Sequence, residues 1–221
     1  MHTEHGGGVP ESTAFSQELA ALKREGSNIL LVGNECQDSH VLACRRLLGD
    51  ASDDPRHRLL VFTDGYDARE RFSDGASDDT RVIFKQVEEP TADPCFEESV
   101  VDSRLLSALG KEIITSIDEF EEGNDGLDPG QLRICVDSLV SLLDNHSPEN
   151  VFRLLHMVTS RVRQASGMGH FHLSVDRDSD AVHLLEPLFD AIVEVRTEGE
   201  VTQHRWHLRD GEVSSGWIRL E

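Results

Sequence analysis

NILLVG, at residues 28–33, is an apolar run closed by a glycine. A half-exposed strand alternates apolar with polar residues, whereas Ile29-Leu30-Leu31-Val32 has no polar break and suits a strand buried on both faces. Residues 39–48 follow as a predicted helix, with Val41, Leu42, Leu47 and Leu48 on its inner side and Gly49 as its stop. RLLVFT (58–63), RVIFK (81–85), LRICVD (132–137), residues 169–175 and AIVEVR (191–196) read as further strands. Helices are predicted at 100–120, where Val101, Leu105, Leu109, Ile113 and Ile117 recur every four residues, and from the Ser147-Pro148-Glu149 start up to Gly167. A short one spans 181–186 and is broken by Pro187. Residues 65–80 read as a surface helix and loop.

Strands alternating with helices predict an α/β domain: a mostly parallel sheet with helices on both faces and ligands received at the carboxyl ends of the strands. Asp210-Gly211, between residues 202–208 and 214–220, predicts a C-terminal antiparallel β-hairpin that extends the sheet at one edge. Trp206 and Trp217 lie on its two arms, placed to pack across it or to form an oligomer edge. At 221 residues the chain suits one domain, residues 12–221, after a disordered tail over 1–11 in which Gly6-Gly7-Gly8 has nothing to bury. Ser12 or Thr13 is the expected cap of a first helix carrying Phe15, Leu19 and Leu22 and ending at Gly26.

The net charge is −21, and only Lys23, Lys85 and Lys111 are lysines among 21 basic residues. Such a surface repels itself in dilute buffer, but at about 1 M salt the Debye length is roughly 3 Å and the repulsion is screened. The composition therefore reads as that of a protein from a salt-filled cytoplasm, an ordinary acidic surface being the alternative. Residues 86–128 hold thirteen acidic residues against Arg104 and Lys111, and no basic stripe with interleaved aromatics exists to release counterions from a nucleic acid. No nucleic-acid partner is expected. No run approaches the roughly 20 apolar residues that span a bilayer, so membrane insertion is not expected and a cytoplasmic location is.

Cys36, Cys44, Cys95 and Cys135 form no CxxC pair and show no zinc-ligand spacing, and they read as reduced, mostly buried thiols. His170 and His172, two apart on a strand, point the same way and suit a metal if a third ligand such as Asp176 comes near. A plain histidine pair is the competing reading, and no metal is expected. No G-x-S-x-G, H-E-x-x-H or G-x-G-x-x-G motif appears, so hydrolase, metalloprotease and dinucleotide-binding chemistry have no starting point.

In order, NILLVG with its helix, RLLVFTD (58–64), RICVDSL (133–139) and LFDAIVEVR (188–196) with a hairpin after it resemble the RecA superfamily, specifically its KaiC-like branch. The resemblance covers most of the chain from Asn28 onward, and ICVDS (134–138) is its most specific part. It is closest to haloarchaeal KaiC-like proteins of unknown activity, some described as transducer-like, and it implies a three-layer RecA-like fold. The family's phosphate loop is G-x-x-x-x-G-K-[ST], in which backbone amides cradle phosphates, lysine reaches the outer groups and the last hydroxyl ligates magnesium. Laying Gly33 on the first glycine puts Asp38, Ser39 and His40 at the Gly, Lys and Thr positions. A charge pair at 4 Å is worth about 4 kcal/mol at an effective dielectric near 20, so losing the lysine beside a new carboxylate costs several kcal/mol of affinity.

By the same resemblance Asp137 corresponds to the carboxylate that holds the magnesium water and Asp64 to a water-activating acid; capping the following turn or helix is the alternative role for each. The expectation is a non-catalytic KaiC-like protein in signalling or regulation, acting through protein contacts, without a cofactor and able to self-associate as the superfamily's rings do. The runner-up is a nucleotide-binding protein or weak ATPase that takes ATP and magnesium with Arg45, Arg46 or a neighbouring subunit's arginine in place of the lysine.

Overall fold

The computed structural model describes residues 10–34, 37–49, 55–63, 80–86, 97–102, 105–208 and 214–220. In chain order these form α1 (Pro10–Glu25), β1 (Ser27–Val32), α2 (Gln37–Leu48), β2 (His57–Phe62), β3 (Thr80–Gln86), β4 (Glu97–Asp102) and α3 (Leu106–Gly123). Then come β5 (Leu132–Asp137), α4 (Leu139–Asn145), α5 (Pro148–Gln164), β6 (Met168–Leu173) and α6 (Asp180–Leu185). A 3-10 turn (Glu186–Leu188), β7 (Ala191–Glu198), β8 (Val201–Leu208) and β9 (Ile218–Arg219) complete the order.

All nine strands join one sheet in the order β4-β3-β2-β5-β6-β1-β7-β8-β9. The pairs from β4 through to β7 are parallel, and β8 and β9 are added antiparallel. β1 lies between β6 and β7 with every residue buried, as an unbroken apolar run requires. Its side chains divide by parity: Leu30 and Val32 pack with α3, α4, α5 and α6, while Ile29 and Leu31 pack with α1 and α2. Helices therefore cover both faces. Among the described residues, no helix is long and apolar enough to cross a membrane.

Several boundaries differ from the sequence reading. Pro10 and Glu11 already belong to α1, because proline is well suited to the first helical turn, where its missing N–H is not needed. Val100 and Val101 belong to β4 rather than to a helix, since pairing with β3 in register Phe84↔Val100 and Lys85↔Val101 gives β-branched residues a sheet position. α4 has no counterpart in the sequence reading; Ser138 starts it, with φ of 70° and a hydroxyl that accepts from the Ser141 amide.

The tightest hairpin is β7–β8, closed by Gly199 (φ 65°) and Glu200, one strand pair ahead of the expected arms, β8 and β9. Trp217 lies under the guanidiniums of Arg196 and Arg205, at 4.0 and 4.6 Å from their carbons, while Trp206 packs with the Ile29 cluster. Asp64, Cys36, Cys95, Asp210, Gly211 and the segment 65–79, read from sequence as a surface helix and loop, lie outside the described residues.

Candidate functional site: the Gly33 loop and the helix–sheet seam beneath it

Gly33 leaves β1 at its carboxyl end, where a parallel sheet receives ligands. At φ of 150°, an added Cβ would lie 2.4 Å from the Val195 carbonyl oxygen on β7, so glycine is required by close approach as well as by torsion. Both backbone groups of Gly33 are engaged: its N–H donates to the Val175 carbonyl at 3.1 Å and its carbonyl accepts from His40 Nε2 at 3.0 Å. A loop that cradles phosphate keeps its amides open.

The three residues laid on the phosphate motif separate by exposure. Asp38 is exposed in the first turn of α2, Ser39 is 0% exposed and His40 is 4% exposed. Neither Ser39 nor His40 faces outward toward a ligand. Arg45 and Arg46 fall in the last turn of α2, and at about 1.5 Å per residue Arg45 is roughly 10 Å along the axis from Asp38. The helix carries them away from the loop.

Asp137 ends β5 opposite Phe62 and is buried, and the Thr63 hydroxyl donates to the Asp137 carbonyl at 2.5 Å and to that of Ser138 at 2.6 Å. Capping at this strand end is done by Ser138. β6 separates Asp137's strand from β1.

Under α2 the sheet presents polar side chains in an otherwise apolar seam. His40 and Cys44, four apart, project from one face of the helix. Cys135 on β5 is in register with His170 on β6, and His172 follows two residues on, on the same face. Cys44 Sγ lies 3.4 Å from Cys135 Sγ and 3.1 Å from His170 Nε2, and His40 Nδ1 lies 3.2 Å from His172 Nδ1. One ligand atom each from Cys44, Cys135, His170 and His172 all fall within 4.8 Å of one another, and all four residues are buried. Burial, and then the hydrogen bond with Cys44, pushes the Cys135 thiol well above its ordinary range. Burial, followed by His172 and Arg133, holds His170 well below its own, so it is neutral.

The histidine pair that sequence reading singled out is thus in the site, but its companions are two cysteines; Asp176 is exposed beyond β6 and is not among them. Cys44 and Cys135 are 91 positions apart, and zinc-spacing patterns describe local knuckles. The available signal was two same-face pairs: His40 with Cys44 on a helix, and His170 with His172 on a strand.

Residues 26–195, from the start of β1 into β7, match a protein-family model described as a family of unknown function, DUF7504. No curated protein matches the chain.

Proposed function

The chain belongs to DUF7504, a family of unknown function, and we propose that it is a non-catalytic RecA/KaiC-like domain that works through protein contacts in signalling or regulation. One observation carries this reading. The residues at the lysine and hydroxyl positions of the phosphate loop, Ser39 and His40, are folded under α2, and His40 closes on the Gly33 carbonyl at 3.0 Å. The groups that would hold triphosphate and magnesium are replaced by groups that hold the loop to itself.

A parallel sheet between two helical faces, Gly33 and Asp137 at strand carboxyl ends, and the terminal antiparallel strands support the RecA-like three-layer layout. The position of Arg45 and Arg46 at the far end of α2 disfavours the weak-ATPase reading. For contacts with a protein, Leu105 and Met157 are large apolar side chains left exposed on the rim of a groove of about 410 Å³ between α3 and α5, which His146, Asn150 and Arg153 also line.

Calorimetric titration with ATP and magnesium in molar KCl tests the reading. No binding up to millimolar nucleotide is expected, and micromolar affinity overturns it.

A further inference from the structure

We propose that Cys44, Cys135, His170 and His172 hold one zinc ion in a closed tetrahedral site that pins α2 to the sheet beneath the Gly33 loop. The inference does not depend on the nucleotide reading, because it concerns the side of α2 that faces away from solvent. It stands first on size. Zn–S bonds of about 2.3 Å and Zn–N bonds of about 2.0–2.1 Å put neighbouring ligand atoms of a tetrahedron roughly 3.3–3.8 Å apart. The chain sets Cys44 Sγ at 3.4 Å from Cys135 Sγ and 3.1 Å from His170 Nε2, with the whole quartet inside 4.8 Å. Closing separations of up to 4.8 Å to these values takes shifts of about 1 Å or a little more, which side-chain rotation supplies.

The second support is the hydrogen-bond chain that fixes tautomers. The Gly33 carbonyl can only accept, so His40 Nε2 carries the hydrogen of that bond. With His40 neutral, its Nδ1 is bare and accepts from His172 Nδ1–H across 3.2 Å. His172 in turn carries its lone pair on Nε2, the nitrogen that would bind the metal. This is the arrangement of metal-ligating histidines, whose other ring nitrogen donates to an orienting acceptor. His40 is therefore a positioning residue that couples the site to the loop.

Charge and chemistry select the ion. Two thiolates with two neutral imidazoles offset a divalent cation, so the filled site buries no net charge. Sulfur and nitrogen donors without an oxygen disfavour magnesium and calcium and suit zinc. Four protein ligands in a buried seam leave no open coordination position, so the ion is structural. It links α2, β5 and β6, which are distant in sequence, and through His172 and His40 it holds Gly33.

The test uses the full reduced chain, purified without chelator, with elemental analysis followed by X-ray absorption at the zinc edge. About one zinc per chain in a shell of two sulfurs and two nitrogens is expected. Exchange with Co²⁺ should give the intense visible bands of a tetrahedral ion with thiolate charge transfer in the near ultraviolet, and one equivalent of Zn²⁺ should abolish them. Joint Cys36→Ser and Cys95→Ser substitution should keep the Co²⁺ spectrum, and joint Cys44→Ser and Cys135→Ser substitution should lose it. X-ray absorption on the unsubstituted chain decides the matter if the second variant fails to fold. A chain that takes up neither Zn²⁺ nor Co²⁺, or binds them only through oxygen as an acidic surface would, overturns the site. Iron or copper held by the same atoms overturns the assignment to zinc.

Discussion

Placing a lysine at position 39, where a phosphate loop carries one, by Ser39→Lys, should damage the fold without conferring nucleotide binding. Ser39 is 0% exposed between α2 and the sheet, and a lysine there must either lose its charge or force the helix outward. Full burial lowers a lysine's pKa by about 3–5 units, and each unit is about 1.4 kcal/mol, which sets a cost of roughly 4–7 kcal/mol. Partial escape of the ammonium along the first turn of α2 reduces that to about 3 kcal/mol or more. Against a total stability of about 5–15 kcal/mol, this is a large loss. Denaturant unfolding in molar KCl, followed by circular dichroism, measures it. The folded-state pKa of the introduced lysine would lie below the unfolded one, so the penalty is full below the folded value and shrinks as pH rises toward about 10. Asp38→Lys, one position earlier and exposed, is the control and should cost no more than about 1 kcal/mol. A Ser39→Lys protein within about 1 kcal/mol of the parent that binds ATP and magnesium at micromolar concentration would refute the reasoning, since Ser39 would then face a usable pocket.

His204 on β8 is held down to about 4, first by burial and then by Arg46. With the folded pKa below the unfolded value near 6.5, stability is lost as pH falls through that window, by on the order of 3 kcal/mol; unfolding against pH should show the loss flattened in His204→Leu, and an unchanged acid limb refutes it. Gly33→Ala places a methyl 2.4 Å from a backbone carbonyl, and a fall in thermal midpoint equivalent to more than about 2 kcal/mol is expected. Arg161, itself mostly buried, joins α5 to the more exposed Asp118 and Glu121 on α3; Arg161→Ala should cost about 1 kcal/mol in low salt and less in molar KCl.

The parallel core was legible because burial on both faces writes itself as unbroken apolar runs: 132–137 was bounded as observed, and β1 was placed within one residue. α5 was legible from its Ser147-Pro148 start. What stayed hidden depends on partners. β4, EESVVD, is acidic in sequence and becomes a strand through pairing with β3, while its valines happen to continue the helical spacing of α3. The β7–β8 turn rests on Gly199 alone, a weaker mark than Asp-Gly. That Asp38, Ser39 and His40 stand where a phosphate loop carries Gly, Lys and Thr is a matter of sequence alone. Of the Cys44–Cys135–His170–His172 cluster only the histidine pair was legible, from its spacing of two on a strand; the cysteines reach it through crossovers of the chain that no local spacing records.

Under the proposed function two effects would work against triphosphate at this loop, and salt separates them. Asp38 places a carboxylate at the N-terminus of α2, where the helix dipole would otherwise favour phosphate. In dilute buffer that repulsion is worth several kcal/mol, but at about 1 M salt screening over roughly 3 Å removes most of it. A chain of net charge −21 suits such salt, and there charge alone would leave the loop available to nucleotide. The packing is indifferent to salt: Ser39 stays under the helix, and His40 stays between the Gly33 carbonyl and His172. On the proposed reading, the burial of Ser39 and His40, rather than repulsion, is therefore what would exclude ATP. Titrations at low and at molar KCl separate the two causes, because exclusion by charge alone predicts binding that emerges as salt rises, whereas closure predicts none at either.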